Sequence, residues 1–182
     1  YASICGAVSY IFSSLFFSTR NFYIPSFLFA LIGFAVAEYL IREKKYFGYG
    51  LEEAFVMWGQ ISLITAIYAI ISNDFSNHLM YNLFIVASIV SLLTSLRYIN
   101  ILSVFLFYFS VCATVFSVFL HFAQAWLVIF PFVMMMLAVS TYFISKYIYN
   151  TEKKPYYSNN LELIGTLSLI LFYLSGNYFI VN

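Results

Sequence analysis

Two stretches decide the fold: INILSVFLFYF at residues 99–109 and LVIFPFVMMMLAV at residues 127–139. Neither contains a charge, and neither alternates apolar with polar residues as a transmembrane β-strand would over about 10 positions. An uncharged apolar run of this kind is the start of a bilayer-crossing helix, which needs about 20 such residues.

The same character extends outward over the whole chain. Of 182 residues, 64% are apolar and only 8% are charged, with eight basic and seven acidic side chains. A soluble domain carries roughly a quarter charged residues. A net charge of +1 offers no field for a phosphate backbone, so no nucleic-acid partner is expected. The fold class is therefore all-α, a polytopic membrane helix bundle. No basic region or small-residue cleavage site precedes the first apolar segment, so no signal peptide is expected in these residues.

Seven segments are predicted, at residues 1–18, 25–42, 51–72, 77–96, 99–120, 125–149 and 159–180. The breaks between them have turn chemistry. Pro25 suits a first helical turn, Gly48 and Gly50 end the second connection, and Ser72, Asn73 and Asp74 can cap. Arg42, Lys44, Lys45, Arg97, Lys146, Lys153 and Lys154 fall on one side of this topology, and only Arg20 on the other. Basic loops stay in the cytoplasm. The expectation is an integral protein of the bacterial inner membrane, with the N-terminus cytoplasmic and the C-terminus outside.

The chain also resembles itself. AVAEYLI at residues 35–41 aligns with AVSTYFI at residues 138–144, and Glu43-Lys44-Lys45 with Glu152-Lys153-Lys154. Leu51-Glu52 aligns with Leu161-Glu162, and Pro25 with Pro131, all at offsets between 103 and 110 residues. This predicts halves at about residues 1–98 and 99–182, in one transmembrane domain. An even-numbered unit of four helices repeats in parallel orientation. The fourth segment has no counterpart, so the last helix of the second unit is expected to be missing or truncated.

Polar residues recur at helical spacing. The fifth segment carries Ser103, Ser110, Thr114, Ser117, His121 and Gln124. The third carries Glu52, Gly59, Ser62, Ala66 and Asn73, and the seventh Asn159, Glu162, Thr166, Tyr173 and Asn177. Small and hydroxylic side chains let membrane helices approach and bond to one another, and that packing role is the first reading. The second and sixth segments are poorer in such residues and are expected to face lipid. Gly33 and Ala37 mark a helix contact.

A second reading makes the stripes a polar cavity for substrate, lined by Glu38, Glu53, Gln60, Ser110, Thr114, Glu162 and Thr166. Glu38 stands four residues before Arg42, the spacing of a helical ion pair. No charge reaches a helix midplane, which speaks against a central carboxylate of the kind a proton- or sodium-coupled transporter uses.

Asp74, His78 and His121 share the outer side, too few for a metal centre, and no metal or cofactor is expected. Cys5 and Cys112 read as small apolar residues inside helices. No nucleophile elbow and no His-Glu-x-x-His run occurs. The Glu52-Glu53 pair resembles that of CAAX-type intramembrane proteases, which also need an Arg four residues past the second Glu. Met57 stands there, and both histidines lie on the other side of the membrane.

The sequence thus predicts a non-enzymatic structural, assembly or accessory membrane component. Its partners would be membrane lipid and proteins docked along helix faces. The alternative is a small transporter or channel for a neutral or amphipathic solute.

Overall fold

The structure is a computed structural model that describes residues 23–43, 50–74, 79–122, 129–151 and 157–181. These residues form six helices. They are α1 (Tyr23–Arg42), α2 (Leu51–Asp74), α3 (Leu79–Tyr98), α4 (Ile101–Phe122), α5 (Phe130–Thr151) and α6 (Ser158–Val181). They correspond to the second through seventh predicted segments; the first lies outside the described residues. The helices run up and down. The ends of α1 and α3 meet the starts of α2 and α4 around one small cavity. The end of α4, the start of α5 and the end of α6 meet at the opposite pole. Arg42 and Arg97 fall in the closing turns of α1 and α3, and Lys146 lies one turn further in on α5, which makes the first pole the basic end.

Among the described residues, five helices are long and apolar enough to cross a membrane, namely α1 to α5. At 1.5 Å per residue, 20 residues reach about 30 Å, the thickness of the hydrocarbon layer. The helix α6 is 24 residues long but is not among the five. Asn159, Asn160, Gly165, Ser168, Ser175, Gly176 and Asn177 dilute its apolar content.

The polarity of the bundle is reversed relative to a soluble protein. Among the described residues, buried polar side chains outnumber buried apolar ones. The outside is covered by large apolar groups, with Met136 73% and Phe143 65% exposed. A contiguous apolar exterior of this extent is not stable in water and fits hydrocarbon. The chain has the build of a membrane protein.

Close backbone approach explains the α1–α2 hairpin. A Cβ on Gly33 would lie 2.9 Å from the Cα and N of Gly59, and one on Gly59 would lie 3.3 Å from the Ala30 carbonyl oxygen. Ala30 and Ala37 are buried on the same face. Small residues are therefore what lets these two helices touch. On the opposite face α1 presents Phe27, Leu28, Leu31 and Ile32 outward, and α5 likewise presents Phe132, Met136, Phe143 and Tyr147. A modest apolar cluster of Ile64, Ala87 and Val90, with Leu83 and Leu106 against it, joins α2, α3 and α4 farther along.

One boundary moves for a local reason. The fifth segment starts at Ile101 rather than 99, because Ile99 takes a left-handed φ of 53° and Asn100 caps α4. The Asn100 Oδ1 accepts from the Leu102 N–H at 2.8 Å. Pro131 is the second residue of α5, where a missing N–H costs nothing, so it does not interrupt the helix.

Candidate functional site

At the basic end a carboxylate ties two helices together. Glu38, in the last turn of α1, receives the Arg42 Nε at 2.8 Å on Oε2. Its Oε1 accepts from Arg97 Nη2 at 2.7 Å and Arg97 Nε at 3.1 Å. One turn away, the ring of Phe34 stacks on Tyr98 with centroids 5.9 Å apart and planes within 4°. Both oxygens of Glu38 are thus spent on guanidinium groups of the chain itself. The Arg42 contact follows the i, i+4 spacing. The part played by Arg97 is not readable from spacing, since 59 residues separate it from Glu38. Its signal was topological: a cation ending a helix on the same side as a carboxylate ending another.

Deeper in the bundle lies Gln60, which is 0% exposed. Its Nε2 donates to Ser91 Oγ at 2.7 Å, and Ser103 Oγ donates to its Oε1 at 2.8 Å. Ser91 in turn donates to the Ala87 carbonyl at 2.6 Å. One amide therefore pins α2 to α3 and to α4. In a low-dielectric interior such a bond has no water to compete with it.

The remaining residues of the predicted cavity lie elsewhere. Ser110 is buried and donates to the Phe107 carbonyl at 2.9 Å, and Thr114 donates to Ser110 at 2.8 Å. Both hydroxyls are satisfied within α4. Glu53 is half-buried and lines a cavity of about 70 Å³ with Glu52, Tyr98, Ile99 and Asn100. Glu52 and Asn100 are the buried members of that wall, at 5% and 3% exposure. The Asn100 Nδ2 has no partner among the described residues. Sequence reasoning singled out neither Glu52 as a buried group nor Asn100 as a cap. The φ of Ile99 that turns Asn100 inward leaves no trace in the residue types.

Glu162 and Thr166 are exposed on α6 and share a groove of about 330 Å³ with α5. Across it stand Tyr142, Ser145, Lys146 and Tyr149. The Lys146 Nζ lies 5.7 Å from the centroid of the Tyr142 ring, within cation–π range. The hairpin is held from within by Thr141 and Ser168, whose hydroxyls are 2.8 Å apart. A second groove of about 330 Å³ opens at the other pole, lined by Phe116, Phe130, Pro131, Met134, Leu171 and Leu174. Phe116 and Phe119 meet the Phe130 ring edge-on, at 5.3 and 5.7 Å.

The seven residues of the predicted cavity thus occupy five places. These are the Glu38 ion-pair clip, the Gln60 network, the α4 interior, and two separate openings at the basic end. Gln60, Ser110 and Thr114 line none of the three cavities described here. Among the described residues no three His, Cys, Asp or Glu groups gather as metal ligands. The side chains of Asp74, His78 and His121 lie outside the described ones, as does Cys5, while Cys112 is half-buried in α4. Comparison with family models, with curated proteins and with solved structures returns no match for this chain.

Proposed function

We propose that this chain is a structural, assembly or accessory component of a bacterial inner membrane, and neither an enzyme nor a transporter. The observation that carries this reading is the closed hydrogen bonding of Gln60, whose two amide ends are both taken by serines of neighbouring helices. The hydroxyls of Ser110 and Thr114 are likewise spent on their own helix. Polar groups satisfied in this way hold helices together and have little left to offer a permeant solute. The three carboxylates that a lipid-processing site would need, Glu38, Glu53 and Glu162, stand in three different surroundings. In this reading the bundle has seven spans, its basic loops face the cytoplasm, and its two halves descend from one four-helix unit. The hairpins α1–α2 and α5–α6, which hold the aligned stretches, support that ancestry.

The transporter reading rests on the two grooves at opposite poles of α5 and α6. Flux separates the two. Protein reconstituted in liposomes is tested for glycerol, urea and sugar entry by light scattering, beside Ser110→Leu and Thr114→Leu. The structural reading expects rates equal to empty liposomes for all three proteins. Solute entry by the parent that either substitution abolishes overturns it.

A further inference from the structure

We propose that the groove between α5 and α6 at the basic end binds the headgroup of a phospholipid that carries a primary ammonium, such as phosphatidylethanolamine. The inference rests on the membrane placement of the chain, and it stands whether or not the chain transports anything.

Among the described residues, the groove displays one cation and a set of acceptors. Lys146 supplies the cation, placed by the Tyr142 ring 5.7 Å beneath its Nζ. Glu162 lines the opposite wall, and among the described residues no salt bridge joins it to Lys146 or to any other cation. Thr166 donates its O–H to the Glu162 carbonyl at 2.9 Å, and Ser145 donates to the Tyr142 carbonyl at 2.9 Å. Each hydroxyl oxygen therefore faces its surroundings as an acceptor. A ligand that matches needs an anion for Lys146 and hydrogen-bond donors for Glu162 and Thr166. A phosphate linked to a primary ammonium has both, with no net charge to leave uncompensated.

Depth and shape agree with that chemistry. Lys146 lies five residues before the end of α5, and Glu162 is the fifth residue of α6. Charges within about a turn of a helix end sit at headgroup level, where Tyr142 and Tyr149 also belong. Gly165 on α6 faces Ser145 and Tyr142 across the groove, at 3.6 and 4.0 Å from where a Cβ would stand. With no side chain there, the groove has room between its walls. Leu169, exposed and seven residues beyond Glu162, lies roughly 10 Å deeper and continues the groove toward the acyl region. A choline headgroup has no N–H for Glu162 or Thr166, and a glycerol headgroup has no cation for the carboxylate.

The test uses the full chain in detergent, with native mass spectrometry of lipid retention. The probes are dioleoyl phosphatidylethanolamine, phosphatidylcholine and phosphatidylglycerol. The ethanolamine lipid should be retained about tenfold better than the other two, the effect of one charge-assisted hydrogen bond. Glu162→Gln should reduce it to the level of phosphatidylcholine. Lys146→Gln should weaken both zwitterionic lipids alike. Both side chains are exposed, and circular dichroism checks that the helices persist. Equal retention of all three lipids by the parent overturns the proposal, and so does a preference for ethanolamine that survives Glu162→Gln. Retention of phosphatidylglycerol above both others also overturns it, since that is plain attraction of anionic lipid to a basic end.

Discussion

The hairpins α1–α2 and α5–α6 are built alike and finished differently. In the first, backbones touch at Gly33 and Gly59, and Glu38 and Gln60 are closed by partners from α3 and α4. In the second, the hydroxyls of Thr141 and Ser168 join helices that also bury Met134, Ala138 and Ser145, and a groove opens beside Lys146 and Glu162. Where AVAEYLI carries Glu38, the aligned AVSTYFI carries Thr141. The Glu38 carboxylate reaches Arg97 on α3, whereas the Thr141 hydroxyl reaches Ser168 on the adjacent helix. One hairpin thus closes on its polar groups and the other leaves a groove beside it, and the side chains on the inner faces decide which.

The sharpest way to break this comparison is at the glycines. Gly33→Val puts atoms where the Gly59 backbone already lies, and overpacking of that order should cost about 3 kcal/mol. Gly165→Ala meets only ordinary contacts and should raise stability by up to about 1 kcal/mol, as Ala does in a helix interior. Thermal unfolding in detergent measures both. A similar loss at the two positions would mean that the hairpins are equally tight.

A smaller effect is expected from the buried hydrogen bonds. Gln60→Leu removes the shared partner of Ser91 and Ser103 and should cost about 1–2 kcal/mol. Thr141→Val removes a single hydroxyl link and should cost about 0.6 kcal/mol, the average for such bonds between membrane helices. A double-mutant cycle of Gln60→Leu with Ser103→Ala should show coupling, while Gln60→Leu with Thr141→Val should be additive.

The ion pairs should matter least. Arg97→Gln lowers stability slightly, and the loss shrinks as salt is raised, because the guanidinium is exposed. Lys146→Gln should leave the unfolding temperature unchanged, since among the described residues Lys146 lies over the Tyr142 ring and forms no salt bridge. A marked fall with Lys146→Gln would make the cleft a structural element rather than a binding one.

Much of this architecture was legible in residue order. Uncharged runs gave the helices, and polar breaks gave their ends to within a few residues. The Gly33 and Ala37 spacing marked a contact that the structure contains. The Glu38–Arg42 pair followed from one helical turn. What was not legible depends on side chains meeting across the bundle. Nothing in the spacing of Gln60, Ser91 and Ser103 says that they converge, because three helices must first be placed. The serine stripes likewise do not say whether a hydroxyl turns to a neighbour, as Ser103 does, or back to its own helix, as Ser110 does. Glu162 and Thr166 were picked out together on one helix, but the wall facing them, Lys146 and Tyr142, belongs to another.

The corner at Ile99 and Asn100 bears on how the molecule is made. Only these two residues separate α3 from α4. At about 3.5 Å per extended residue they span little more than one strand spacing, so neither helix can settle in the bilayer far from the other. A hairpin joined this tightly is expected to insert as one unit. A polar tag inserted between Tyr98 and Ile101 would uncouple the two insertions and leave the first helix to enter unescorted.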